Sequence, residues 1–254
     1  HYNVYKSYKK YVKEFKKLVN MTPKGGEIIY FDGDKEISKI IEGYKDENTT
    51  LISFTHENFK VNKNETVIID DNNKLIKLKI FGKHNMQNLA GAKIVCEKLG
   101  IKNKHFYKSI QTYELPDRRL EKIHDGKIKI FKDFAHSPSK LKATISAVKS
   151  QHPNKLLVIY ELHSSSSLDI NFLKNYKDCL LESSFSIIYI SEDKKDVNLK
   201  EKFLKECFNE KKILLVKNKI DLINTIKKTK FKNLNKLIMS SGNFDNVDFN
   251  ELIK

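Results

Sequence analysis

Tryptophan is absent from this sequence, and arginine nearly so: of 48 Lys and Arg side chains only Arg118 and Arg119 carry a guanidinium. Cysteine is sparse. Cys96, Cys179 and Cys207 lie far apart with no C-x-x-C pair, which excludes a disulfide framework or zinc finger and suits a reducing, cytoplasmic compartment. No apolar run approaches the roughly 18 to 20 residues of a membrane-spanning helix. The polar and aromatic start, His1 to Lys10, has no secretory pattern. There is no initiator methionine, so the chain reads as a fragment or a processed form. A phosphate loop of the form G-x-x-x-x-G-K-[ST] is also missing. Gly82-Lys83 is followed by His84, and Gly126-Lys127 by Ile128. If the chain handles ATP, that loop lies elsewhere.

What is present is a chain of 254 residues, enough for one large or two ordinary domains. Hydrophobic residues at 39% are enough to build cores. The formal charge of +16 invites a nucleic-acid reading. However, the cations are almost all lysine, spread along the whole chain beside abundant Asn and Ile, the bias of AT-rich coding. We therefore expect neither a nucleic-acid nor a membrane partner. The same bias makes the adjacent arginines informative, because a planar two-pronged cation stands where lysine is the default.

Helix and strand signals alternate. Tyr8 to Val19 has helical spacing and ends before Pro23 and Gly25-Gly26. Strands are expected at Glu27 to Phe31, Leu51 to Phe54, Thr66 to Ile69 and Leu75 to Phe81, the last two joined by a turn at Asp70 to Asn73. Helices are expected at Lys35 to Tyr44, Asn85 to Leu99 and Lys104 to Tyr113. Glu114-Leu115-Pro116-Asp117 breaks the pattern, which predicts domains of residues 1–116 and 117–254. A hairpin follows, Arg118 to His124 and Lys127 to Phe134 around Asp125-Gly126. Then come helix 138–150, strand 156–161, helix 169–181, strand 185–191, helix 199–208, strand 213–216, helix 220–228 and strand 236–240. This alternation predicts an α/β domain with a mainly parallel sheet covered on both faces. Such sheets bind ligands at the carboxyl ends of their strands. Here those ends are Glu161-Leu162-His163, Ser191-Glu192-Asp193 and Ser240 to Asn243.

Three constellations carry chemistry. Asn85 and Asn88 fall on the first turn of a helix, where their amides could meet a purine edge or Asn85 could simply cap the helix. Asp133-Phe134-Ala135-His136-Ser137-Pro138 joins a strand to a helix. Asp133 and His136 there suit a ribose hydroxyl and a polar substrate; alternatively Ser137 is a plain cap with His136 in solvent. Arg118-Arg119 offers a clamp for phosphate oxygens, or is a solvated pair.

In this order the motifs resemble those of the Mur ligases, ATP-dependent amide-bond ligases of peptidoglycan synthesis. His1-Tyr2-Asn3 is similar to the end of a D-H-x-[DN] motif. Gly82-x-His84-Asn85-x-x-Asn88-x-x-Gly91-Ala92 is similar to G-x-H-N-x-x-N-x-x-A-A. Arg118-Arg119-Leu120-Glu121 resembles the arginine motif that opens the C-terminal domain, and Asp133 to Pro138 the D-[YF]-A-H-x-P motif. The resemblance implies the second half of a central ATPase domain followed by a Rossmann-like C-terminal domain. It implies ATP and Mg2+ as cofactors, and UDP-N-acetylmuramic acid plus a peptide or amino acid acceptor as substrates. By the same resemblance His1 would bind magnesium, Asn85 and Asn88 the adenine, Asp133 the ribose, and Arg118 or Arg119 a phosphate. His136, Ser137 and His163 would face the acceptor. Within the family the ending Met239 to Phe244 is most similar to the murein peptide ligases. The UDP-N-acetylmuramate–L-alanine ligases are the neighbouring alternative, but they carry an arginine in the loop after the strand-end histidine, where this chain has Ser164 to Ser167. From a different class, a non-catalytic nucleotide- or partner-binding module is the rival reading.

Overall fold

The structure, a computed structural model, describes residues 4–5, 7–194 and 199–249. It divides into two compact units, between Glu114 and Leu115. The first contains α1 (Tyr8–Asn20), β1 (Glu27–Phe31), α2 (Lys35–Glu42), β2 (Thr50–Phe54), β3 (Phe59–Asn62), β4 (Glu65–Ile69), β5 (Leu75–Leu78), α3 (Lys83–Lys98) and α4 (Asn103–Ile110). Side chains start the early helices. Ser7 accepts from the Lys10 N–H at 3.3 Å, and Asp34 from Glu36 and Ile37 at 2.9 and 3.2 Å. β1 and β2 pair in parallel under α3. Gly91 of α3 faces Phe54, whose ring would lie 3.0 Å from an added Cβ, so glycine stands where the related motif has alanine. The expected hairpin is β4–β5, its turn tied by the Asp70 carboxylate to the N–H groups of Asn72 and Lys74. A third antiparallel strand, β3, joins β4. Its four residues alternate too briefly to announce a strand.

The second unit comprises β6 (Glu121–Asp125), β7 (Lys129–Asp133), α5 (Pro138–Gln151), β8 (Leu156–Glu161), α6 (Ser165–Leu168), α7 (Ile170–Leu173), β9 (Phe185–Tyr189), α8 (Glu201–Phe208), β10 (Ile213–Val216), α9 (Lys219–Ile226), α10 (Thr229–Lys232) and β11 (Asn235–Met239). The sheet order is β10-β9-β8-β11-β7-β6. Every pair is parallel except β6 against β7. All six residues of β8 are buried, as expected for a central parallel strand covered on both faces. On one face Leu157, Ile159, Ile187 and Tyr189 meet Leu222, Ile226 and Phe231 from α9 and α10. Each such side chain stabilises the unit by roughly 1.5–3 kcal/mol relative to exposure. The single helix expected over 169–181 is instead one capped turn, α7, and a short 3-10 segment at Lys174–Tyr176, with α6 a separate capped turn before it. Ser164 Oγ accepts from Ser167 N at 3.2 Å, and Asp169 restarts the helix by accepting from Phe172 N at 2.9 Å.

Candidate functional site

The chain enters the second unit through a strained turn. Arg118 and Leu120 have φ of 61° and 49°, a region that side chains with a Cβ disfavour. Asp133, at the carboxyl end of β7, holds this turn. Its Oδ2 accepts from Leu120 N at 2.7 Å. Its Oδ1 accepts from Ala135 N at 2.7 Å and Thr144 Oγ1 at 3.3 Å. Three donors leave the carboxylate about one free acceptor position.

The two arginines part company here. Arg118 donates its backbone N–H to Glu121 Oε2 at 3.2 Å, and its Nη2 reaches the carbonyls of Ser240, at 3.4 Å, and Gly242. It therefore fastens the loop after β11. Arg119 is exposed and lies 5.5 Å from the centre of the Phe134 ring, with Arg118 at 5.2 Å from the same ring. Its guanidinium, unlike that of Arg118, makes no hydrogen bond to a described residue.

His136 sits half-buried after β7, with Nδ1 2.9 Å from the Phe134 carbonyl and its ring edge-on to Phe134. Its own carbonyl accepts from Tyr176 at 3.2 Å, and Tyr176 bonds the buried Tyr160 hydroxyl at 2.9 Å. Burial pushes Tyr176 up to about 12, so this phenol pair stays protonated. Ser137 occupies the N-cap position of α5 but its side chain makes no capping bond. The simple capping role is thus not the one its hydroxyl takes.

The least expected member is Glu161, the last residue of β8 and 1% exposed. Its Oε2 accepts from Ser240 Oγ and from Phe244 N at 3.1 Å. Ser240 Oγ in turn accepts from Gly242 N at 2.6 Å. Its Oε1 has no hydrogen-bond partner and lies 3.7 Å from the equally unpartnered Nδ1 of His163. Gly242 closes over this pair: a Cβ there would lie 2.5 Å from His163 Nδ1 and 2.8 Å from Glu161 Oε2. Beyond it Phe244, Asp245 and Asn246 form a left-handed turn, with φ of 52°, 52° and 58°. The Asp245 carboxylate anchors the turn by accepting from Tyr189 at 2.5 Å, from Ser191 and from Glu192 N at 3.2 Å. Burial would raise this carboxyl, but the three donors outweigh it and hold it below the usual range. A cleft of about 190 Å³ opens between Arg118, Asp133, Ser240 and Phe244. Sequence reading placed Glu161 and Ser240 only at strand ends. A lone glutamate closing an otherwise apolar strand, Leu156 to Tyr160, was the available signal.

In the first unit Gly82 (φ 91°) opens α3. Asn85 is buried and donates to the Phe81 carbonyl at 2.8 Å, whereas Asn88 is exposed. The two amides are therefore not presented together: Asn85 fixes the start of the helix and Asn88 alone faces outward. His1 lies outside the described residues. Among those described, no three His, Cys, Asp or Glu side chains come together to hold a metal ion, and no helix is long and apolar enough to cross a membrane.

A guanidinium, two imidazoles and a buried carboxylate gather at the carboxyl ends of β7, β11 and β8, the edge at which parallel α/β sheets bind ligands. Residues 1–96 match the Mur ligase middle domain. Among curated relatives, the UDP-N-acetylmuramate–L-alanine ligase of Acetivibrio thermocellus is 26% identical over 196 residues, 70% of this chain and 41% of that protein. A murein peptide ligase from Psychrobacter arcticus superposes with a TM-score of 0.64 at 19% identity, over 95% of this chain and 53% of that one. The Thermotoga maritima MurF ligase in complex with ADP gives 0.67 at 13%, over 92% and 54%. Residues 1–96 thus carry the match to a Mur ligase middle domain, and over most of its length the chain is similar to Mur ligases in fold. It spans less than half the length of the curated relative described here.

Proposed function

We propose that this chain is part of an ATP-dependent amide-bond ligase. In this reading residues up to 116 are the second half of the ATP-binding domain and residues 117–254 the acceptor-binding domain. The carrying observation is the division of labour within the arginine pair: both are exposed, but Arg118 is bonded to the loop after β11, while the Arg119 guanidinium lies over the Phe134 ring and makes no hydrogen bond to a described residue. The half-exposed parallel pair β1–β2 suits a sheet completed by more of the middle domain, which would bring the missing phosphate loop.

ATP, when bound, supplies the phosphoryl group that activates the lactyl carboxylate of UDP-N-acetylmuramic acid as an acyl phosphate. The T. maritima MurF–ADP complex supports nucleotide use. By the resemblance Asn88 would face the adenine, and separately the free acceptor position of Asp133 would suit a ribose hydroxyl. Arg119 offsets charge on the phosphate with a two-pronged donor. His1, the expected magnesium ligand, is a proposal from resemblance alone. His136, Ser137 and His163 then hold the acceptor, and a dry site protects the acyl phosphate from hydrolysis.

For the acceptor we favour a peptide, L-alanyl-γ-D-glutamyl-meso-diaminopimelate, over free L-alanine. Free L-alanine presents an α-carboxylate that calls for a cation, yet the loop after His163 is a serine-capped turn without one. The name of the A. thermocellus relative favours L-alanine. Competition between the two acceptors in the full-length protein decides: a higher kcat/KM for L-alanine reassigns it. The present chain alone, without a phosphate loop, should release no phosphate from ATP.

A further inference from the structure

We propose that Glu161 and His163 form a carboxylate–imidazole pair in which Glu161 sets the tautomer of His163, so that its outward Nε2 takes the proton from the acceptor's ammonium. This inference rests on the ligase reading for the identity of the amine, but not for the pair itself.

The two atoms that face each other are both orphans. Glu161 Oε1 is a buried acceptor without a donor, and His163 Nδ1 is a buried ring nitrogen without a partner. At 3.7 Å they are too far apart to be bonded. Each unmet group is costly while buried, and a small rotation of the imidazole satisfies both. Only one tautomer can do so, that with the proton on Nδ1, since a carboxylate only accepts. The proton-free nitrogen is then Nε2. Glu161 cannot itself swing to meet a ligand. Its other oxygen is held by Ser240 and Phe244 N, and the residue is 1% exposed. The His163 side chain, in contrast, is 40% exposed. The carboxylate therefore acts through the imidazole and is a positioning residue. Gly242 packs against both groups, with no room for a Cβ. The other charged group near the imidazole is Asp193, in the turn after β9, which feels the His163 charge.

Amide formation needs such a group. An acceptor amine arrives as an ammonium and is not nucleophilic until it loses a proton. One N–H bond breaks with its electron pair left on nitrogen, and the proton passes to His163 Nε2. The amine then attacks the acyl phosphate. The C–N bond forms, the C–O bond to phosphorus breaks, and phosphate leaves with that electron pair and the second amine proton. The imidazolium returns its proton to solvent.

Long-range 15N NMR of this chain reads the tautomer directly. Neutral His163 should carry its proton on Nδ1. In Glu161→Gln the amide oxygen can keep Ser240 and Phe244, leaving the NH2 to donate to Nδ1. The variant should thus hold His163 with its proton on Nε2. A wild-type Nε2–H tautomer overturns the proposal, as does the same tautomer in both proteins. Should the variant not fold, the wild-type spectrum still decides. In the full-length protein Glu161→Gln should lower kcat for amide formation by about 10²-fold with the acceptor KM within about threefold. An unchanged kcat overturns the assigned role. If wild-type full-length protein releases no ADP with any acceptor amine, the ligase reading fails and the tautomer result stands apart from it.

Discussion

Arg118→Lys and Arg119→Lys make the same chemical change one residue apart, and the structure assigns them opposite consequences. Lysine keeps the charge but replaces a planar fork by a point. At position 118 the guanidinium bridges two carbonyls of the loop after β11. A bond from a charged donor is worth about 1.5–3 kcal/mol. An ammonium can reach one carbonyl at best, and the site is partly wet, so a loss of about 1–1.5 kcal/mol is expected. In a unit of this size that lowers Tm by about 4–6 °C. At position 119 the guanidinium is exposed and stacks loosely on Phe134, so the change should stay within about 0.5 kcal/mol. Calorimetry of this chain, following the unit from Leu115 onward, measures both. Amide exchange at Gly242 and Phe244 should quicken in Arg118→Lys alone. The functional effect inverts: in the full-length protein Arg119→Lys should cost about 10²-fold in kcat. Two variants that melt alike, or a larger loss of stability at 119, would refute the division of labour drawn from the geometry.

Two further outcomes can be checked on the same chain. Gly242→Ala should destabilise the second unit by about 1–3 kcal/mol, the usual cost of overfilling a packed site, and should displace the His163 ring, visible as a shift of its carbon-bound protons. Asp125 is drawn down to about 2 by Lys122 and Lys129. Its folded value lies below the unfolded one, so its contribution is complete above about pH 4 and fades as pH falls toward 2. Because the side chain is half-exposed, Asp125→Asn should remove less than about 1 kcal/mol at neutral pH, and the difference from wild type in urea titrations should vanish near pH 2.

The second unit was legible because parallel strands buried on both faces are written as apolar runs. Leu156 to Glu161 and Ile213 to Val216 have the bounds expected from sequence. The helix expected over 169–181 starts at its Asp169 cap but stops after Tyr176, where Lys177 leaves the helical region and Asp178 takes a φ of 63° with its N–H and carboxylate engaged by Phe208 and Asn209, contacts no local pattern announces. β3 was missed because four residues with two polar partners carry too little pattern. At the site, the arginine pair stood out by scarcity, but which arginine is free depends on carbonyls more than 120 residues away. At Asn85 the place on the first turn was readable, and the bond of its amide to the Phe81 carbonyl was not. Glu161 gained its meaning only from Ser240, Gly242 and Phe244, none of them near it in the chain.

The place of β11 in the sheet bears on how the second unit is made. β11 is the last described strand in the chain, yet it lies between β8 and β7. The sheet bonds joining β6–β7 to β8–β9–β10 pass through residues 235–240. While the chain emerges from the ribosome, both inner edges stay open, and β8 is wholly apolar up to Glu161. Such edges invite pairing with other chains. A nascent protein halted before residue 235 would hold two half-sheets with nothing between them, and Arg118 would have no carbonyls to fasten. The central strand therefore acts as a keystone laid last, and the candidate site at the carboxyl edge of the unit cannot exist until it is in place.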